Sequence, residues 1–98
     1  MAFAILFTKS AVAELGELRK FDQRRLRDAI AEQLTAQPLQ ETRNRKQLRP
    51  NELAEWELHV AEYRVFYDVD ETEEWVKVVA IGYKEGNKLF IHGKEFKL

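Results

Sequence analysis

Two runs of alternating residues, separated by only two residues, constrain the fold more than any other part of the chain. Trp56, Leu58 and Val60 alternate with polar side chains in the first run, and "YRVFYDVD" alternates in the same way in the second. Period-two alternation of β-branched and aromatic residues predicts strands. Because only Ala61 and Glu62 separate the runs, we expect a tight antiparallel hairpin.

The short turn also predicts the register of this hairpin. Residues at equal distances from a tight turn lie opposite each other, so His59 should face Arg64 and Glu57 should face Phe66. One side of the second strand should pack in the core, and it carries Tyr63, Val65, Tyr67 and Val69. The other side should point to an open face of the sheet.

The first third of the chain predicts one strand and two helices. Residues 3–7 are almost entirely apolar, which favours a strand in the interior of a sheet. Ser10 is a candidate N-cap for a helix that runs to about Lys20. Asp22 is a candidate cap for a second helix over residues 23–36, where the apolar side chains form one stripe. The short gap between the helices predicts an antiparallel pair.

The remaining segments complete an α+β pattern. The polar connection of residues 38–51 contains "KQLRP", which suits either a brief strand or an anchored turn. Residues 74–84 predict a central strand, and residues 88–98 a short strand with a turn at Gly93. We therefore expect a single domain over residues 1–98, with an N-terminal strand, a helical hairpin, and an antiparallel meander that carries both helices on one face.

Composition limits the classes of function. The chain has 98 residues and no cysteine, which excludes disulfides and cysteine-bound metals and makes a reducing cytoplasm the simplest setting. The apolar start is too short for a signal peptide or a membrane span. The net charge of −1 argues against bulk affinity for nucleic acid, but it divides into +4 for residues 1–50 and −5 for residues 51–98.

Basic residues of the central connection are the candidates for a phosphate-binding surface. They are Arg43, Arg45, Lys46 and Arg49. Two interpretations remain open from charge alone: a solvated loop that follows a solvated helix face, or a surface that faces phosphates or an acidic partner.

The predicted hairpin brings chemically useful groups to one face. Glu57, His59 and Arg64 should converge there, and Lys84 should reach the same rim from the next strand. Histidine or a carboxylate can accept a proton, while arginine and lysine can hold a phosphate and stabilise its negative charge.

An exposed Phe66 or Tyr83 could stack on a base. Together with the charged cluster, such a surface would suit cleavage of RNA by its own 2′-hydroxyl. The alternative is a structural ion pair between Glu57 and Arg64. His92 is expected in a turn, and no spacing of ligands predicts a metal site or a cofactor.

The order and spacing of three short motifs resemble the RelE/ParE superfamily of bacterial type II toxins. These motifs are Trp56 at the head of a strand, Tyr63 to Tyr67 as Tyr-Arg-apolar-apolar-Tyr, and Gly82-Tyr83-Lys84 on the last long strand. The β-α-α-β-β-β order agrees as well, so the resemblance covers nearly the whole chain.

The resemblance implies a cytoplasmic toxin that a cognate antitoxin neutralises. The RelE branch cleaves mRNA on the ribosome without a metal or other cofactor, and Arg64 and Lys84 match its basic positions. Glu57 and His59 stand where that branch has lysines, and Phe90 stands near its tyrosine, which would shift proton transfer to His59 or Glu57. The ParE branch instead inhibits DNA gyrase and does not require this set. A further alternative is a member of the family that has lost its activity and only binds its antitoxin. Neither branch implies a membrane.

Overall fold

One twisted sheet carries both helices on the same face. The computed structural model describes residues 2–98, and within them the elements are β1 (Ala4–Phe7), α1 (Lys9–Gly16), α2 (Lys20–Leu34), β2 (Arg45–Gln47), β3 (Trp56–Val60), β4 (Tyr63–Asp70), β5 (Trp75–Glu85), β6 (Lys88–Ile91) and β7 (Lys94–Phe96). The expected α+β class, with the helical pair on one sheet face, is confirmed.

Strands β2 to β7 lie side by side in chain order and pair antiparallel. Strand β1 pairs in parallel with Trp75 to Val78 of β5. Strand β6 pairs with residues 83–85, farther along the same edge of β5. The expectation that β1 is interior to the sheet is wrong. Among residues 2–98 its only strand partner is β5, and Leu6 is 45% exposed. The residues of β1 are apolar because the strand packs against the main core, not because strands flank it on both sides.

The β3–β4 hairpin has the predicted register. Val60 pairs with Tyr63, His59 with Arg64, and Glu57 with Phe66. Ala61 adopts a positive φ of 55° in the turn, which allows the chain to reverse within two residues. The turn length and the alternation of side chains thus specify the same register.

The main core fills the space between the helices and the sheet. Leu26, Ile30 and Leu34 of α2 are buried in one stripe against β3, β4 and β5. Each such side chain contributes about 1.5–3 kcal/mol when it is fully buried. On the sheet side, the rings of Trp56 and Tyr67 stack with centroids 6.1 Å apart.

Both helices begin earlier than the sequence predicts. Thr8, not Ser10, caps α1, because its hydroxyl accepts a hydrogen bond from the Ala11 N–H at 3.1 Å. Helix α2 begins at Lys20, so Asp22 lies in its first turn rather than at its cap. The carboxylate of Asp22 is instead buried, where it accepts the hydroxyl of Tyr63 at 3.0 Å.

The face of the sheet away from the helices is not open, contrary to expectation. Phe66 is fully buried there in a second core that includes Ala80 and Leu89. The covering side chains come from the connection after β2 and from the β6–β7 hairpin; they include Leu48, Leu53, Ile91 and Phe96. The sheet therefore has apolar cores on both faces.

A bulge in β5 adjusts the alternation of side chains to these two cores. Phe66 pairs with Ala80 and Tyr67 with Val78, which leaves Val79 as an extra residue on β5. The bulge turns both Val79 and Ala80 toward the second core. After the bulge, Gly82 lies on the same face as Ala80, where β6 approaches it closely.

Candidate functional site

The β3–β4 hairpin assembles a carboxylate, an imidazole and a guanidinium on the face away from the helices. Glu57 and His59 project to the same side of β3, and Glu57 Oε1 lies 2.6 Å from His59 Nε2. Arg64 lies directly across from His59 on β4. Glu57 is 7% exposed, whereas His59 is half-buried, so the imidazole is the more accessible member of the pair.

Arg64 is held by its own turn. Its Nη1 donates to the carbonyl oxygens of Ala61 and Tyr63, both at 2.8 Å. Its Nε is buried and has no hydrogen-bond partner among residues 2–98. The expected alternative of an ion pair between Glu57 and Arg64 is not the arrangement observed, because the carboxylate of Glu57 contacts His59 instead.

Lys84 shares the face of Arg64, as expected. Arg64 pairs with Gly82, and Lys84 follows two residues along β5, so both side chains leave the sheet on the same side. The Lys84 N–H donates to the Glu62 carbonyl at 2.8 Å, which fixes this end of β5 beside the hairpin turn. Lys84 is half-buried at the rim.

Neither aromatic candidate is available to stack on a base beside Arg64. Phe66 is fully buried in the second core. Tyr83 lies on the helix side of the sheet, where it packs against the main core, and its ring stacks on Phe90 with centroids 5.5 Å apart. Adjacent residues of a strand point to opposite faces, so Tyr83 and Lys84 cannot share one surface.

The four basic candidates separate into one structural residue and three exposed ones. Arg45 is 7% exposed, and its guanidinium donates to the main-chain carbonyls of Gln33 and Gln40. The prediction that Arg45 binds RNA is therefore wrong, since its donors are used to join β2 to the end of α2. Arg43, Lys46 and Arg49 are exposed.

A groove connects two of the exposed basic residues to Glu57, the carboxylate of the pair. Lys46 pairs with Glu57 across β2 and β3, which places both on the same face. The groove has a volume of about 590 Å³, and its walls include Lys46, Arg49 and Glu57. Positive charge thus lies beside Glu57, the carboxylate that contacts His59.

His92 has a role that the sequence pattern did not predict. It lies in the β6–β7 turn, as expected, but its Nε2 is 3.0 Å from Oε2 of Glu14 on α1. Glu14 is buried, and burial raises the pKa of its carboxyl above the usual value. A glutamate on the inner side of a short helix was a sequence signal for this contact, since buried carboxylates need partners.

The positions of Gly82 and the β6 backbone depend on each other. A Cβ at Gly82 would lie 2.6 Å from the carbonyl oxygen of Phe90 and 2.9 Å from Cγ1 of Ile91. Gly82 is the residue of β5 that pairs with Arg64, and only glycine at this position leaves room for β6 to approach so closely.

Two further properties of the described chain bear on the class of site. Among residues 2–98, no group of three or more His, Asp or Glu side chains is arranged to hold a metal ion. Over the same residues, neither helix combines the length and apolarity that crossing a membrane requires.

Sequence comparison assigns the family. The model described as "ParE toxin of type II toxin-antitoxin system, parDE" matches residues 5–87. The chain therefore belongs to this family of type II toxins, and the resemblance to the RelE/ParE superfamily is confirmed. No curated protein matches the sequence.

Solved structures with the same fold come from toxin–antitoxin complexes. The RelBE2 complex of Mycobacterium tuberculosis matches with a TM-score of 0.71, over 86% of this chain and 100% of that one. The Pyrococcus horikoshii RelE–RelB complex gives 0.62, over 88% and 98%. A variant of Escherichia coli RelE bound to an antitoxin peptide gives 0.55, over 88% and 87%. Each is 21% identical to this chain, a level at which the likeness shows the fold alone.

Proposed function

We propose that this toxin is a metal-independent endoribonuclease that cleaves mRNA on the ribosome. The observation that carries the proposal is the Glu57–His59 contact of 2.6 Å with Arg64 directly across the hairpin. A proton acceptor oriented by a carboxylate, next to a guanidinium, is the set of groups that phosphodiester cleavage by a 2′-hydroxyl requires.

His59 is the proposed base. When Nε2 donates its proton to Glu57, the lone pair of Nδ1 is free to accept the proton of an RNA 2′-hydroxyl. The 2′-oxygen then forms a bond to the adjacent phosphorus, and the bond from phosphorus to the 5′-oxygen breaks. The products are a 2′,3′-cyclic phosphate and a 5′-hydroxyl whose proton comes from solvent or from the protonated histidine.

Arg64 and Lys84 supply the positive charge for this reaction. The guanidinium of Arg64 stabilises the charge that develops on the phosphate oxygens, and Lys84 binds the same or the neighbouring phosphate from the rim. Lys46 and Arg49, in the groove that reaches Glu57, together with Arg43, would hold the mRNA or ribosomal RNA. The acting compartment is the cytoplasm, and the expected neutralising partner is a cognate antitoxin.

The test measures RNA cleavage on translating ribosomes with the purified chain. We expect Arg64→Ala and His59→Gln each to reduce cleavage at least 100-fold, because each removes one component of general base or electrostatic catalysis. Lys9→Ala is a control, since Lys9 is an exposed cation at the start of α1. Intact transcripts after incubation with the unmodified chain would refute the nuclease proposal.

A second proposal is inhibition of DNA gyrase. Two observations favour it: the family model is described by the ParE name, and the net charge of −1 is unlike that of a strongly basic RNA-binding protein. Purified gyrase, assayed for supercoiling with increasing amounts of the chain, separates the proposals. If supercoiling is complete at a large excess of the chain, gyrase is excluded as the target. If the Arg64→Ala variant still inhibits supercoiling, Arg64 is not required for that activity.

A further inference from the structure

Two side chains from α1 and its cap fill a gap in the edge of β5. Strand β1 covers Trp75 to Val78, and β6 covers the same side only from Tyr83 onward. Between them, the Ile81 N–H donates to Oε1 of Glu14 at 2.7 Å. The Thr8 hydroxyl donates to the Val79 carbonyl at 3.1 Å. The backbone groups of this gap are thus satisfied by side chains instead of by a strand.

The same glutamate also holds the β6–β7 turn. Oε2 of Glu14 is 3.0 Å from Nε2 of His92, and Glu17 lies 3.7 Å from the other ring nitrogen. The Glu14 side chain is only 4% exposed, whereas Glu17 is 63% exposed. The Glu14 carboxylate is therefore shielded from water and salt in a way that the Glu17 carboxylate is not. One carboxylate joins α1, β5 and the last hairpin.

The hairpin that this carboxylate holds also covers the residue opposite Arg64. The carbonyl of Phe90 and the side chain of Ile91 occupy the space directly above Gly82. Arg64 pairs with Gly82 on the same face of the sheet; its Nε is buried without a partner among residues 2–98, and its Nη1 is occupied by two turn carbonyls. A phosphate could not take the paired Nε and Nη donors of this guanidinium unless the groups around the buried Nε moved.

We propose that the β6–β7 hairpin is a lid that withholds Arg64 from phosphate, and that the contact between Glu14 and His92 is its latch. In the closed arrangement the second core and the latch act together, since Leu89, Ile91 and Phe96 pack on Phe66. Release of the latch leaves this apolar contact and the short pairing of β6 with the end of β5 to hold the hairpin. The inference rests on the proposed function only in taking Arg64 as the phosphate ligand.

Hydrogen exchange measured by NMR on the full chain tests the latch without any RNA. Glu14→Gln keeps an acceptor for Ile81 but removes the charge from the contact with His92. His92→Asn removes the imidazole, and asparagine tolerates the left-handed backbone at this position, where φ is 55°. Glu17→Gln is the matched control, because it removes an exposed carboxylate from the same histidine.

We expect both latch variants to raise the exchange rates of the β6–β7 amides at least tenfold relative to those of the β3–β4 hairpin. The Arg64 Nε–H should exchange faster in the same two variants, and Glu17→Gln should leave both rates unchanged. Unchanged β6–β7 rates would overturn the latch. Faster β6–β7 exchange with a still protected Arg64 Nε–H would overturn the lid. Neither measurement depends on cleavage, so failure of the nuclease proposal remains distinguishable.

Discussion

Substitution of Gly82 by alanine should destabilise the protein although it adds only one methyl group. The new Cβ would lie 2.6 Å from the Phe90 carbonyl oxygen and 2.9 Å from Ile91 Cγ1. To restore an ordinary contact of 3.4 Å, the β6 backbone must move by about 0.8 Å. Both obstacles lie in a strand that is hydrogen-bonded on its two sides, so it has little room to adjust.

The expected loss follows from two opposing effects. Overpacking in a well-packed region costs about 1–3 kcal/mol. Replacement of glycine by alanine restricts the unfolded chain, which returns about 0.4–1 kcal/mol. We therefore expect the free energy of unfolding to fall by about 1–2 kcal/mol, with Tm lower by about 4–8 °C for each kcal/mol.

The assay is urea unfolding followed by tryptophan fluorescence and circular dichroism. A Gly82→Ala chain should show a lower midpoint with an unchanged slope. Gly16→Ala is the matched control: Gly16 ends α1, its φ is not positive, and nothing lies within 4 Å of a Cβ there. That control should gain about 0.5–1 kcal/mol. If Gly82→Ala is as stable as Gly16→Ala, the close approach of β6 is not what requires glycine.

Three further predictions concern buried polar contacts. Tyr63→Phe removes the hydroxyl that Asp22 accepts and should lower the free energy of unfolding by about 1 kcal/mol in urea titrations. Arg45→Ala should lower stability by about 2–3 kcal/mol, because it leaves the carbonyls of Gln33 and Gln40 unpaired, while Arg43→Ala should change thermal unfolding little. Since burial raises the folded pKa of Glu14 above its ordinary 4.5, its stabilising effect is present below pH 4.5 and is lost as pH rises through the folded pKa. Unfolding at a series of pH values should show this loss relative to Glu14→Gln, and parallel curves would contradict it.

The hairpin was the most predictable part of the fold because its information is local. A two-residue turn between alternating runs leaves one register that buries all of the apolar side chains, and His59 opposite Arg64 follows from that register. The contact between Glu57 and His59 follows from the same alternation, since residues two apart share a face.

The errors arose where distant segments decide the environment. Phe66 alternates as a solvent-facing residue would, yet the β6–β7 hairpin and residues 48–54 cover it. Asp22 is a residue type that often caps helices, but its carboxylate instead accepts a hydrogen bond from the Tyr63 hydroxyl, 41 residues later in the chain. Arg45 sits in a polar, basic segment whose composition gives no sign that α2 offers carbonyls to it. The sequence itself places Tyr83 on the face opposite Lys84, because adjacent residues of a strand point to opposite faces.

The shared edge of β5 has a consequence for the order in which the chain can fold during synthesis. Thr8 and Glu14 find their backbone partners 71 and 67 residues later, in the strand that β1 also needs. At about 5–20 residues per second, the ribosome takes several seconds to make the intervening chain. Until then, β1 and α1 have no sheet edge on which to dock. Since the β3–β4 turn is complete before β5 emerges, the hairpin with Arg64 can form first, and the N-terminal segment can dock only after β5 is made.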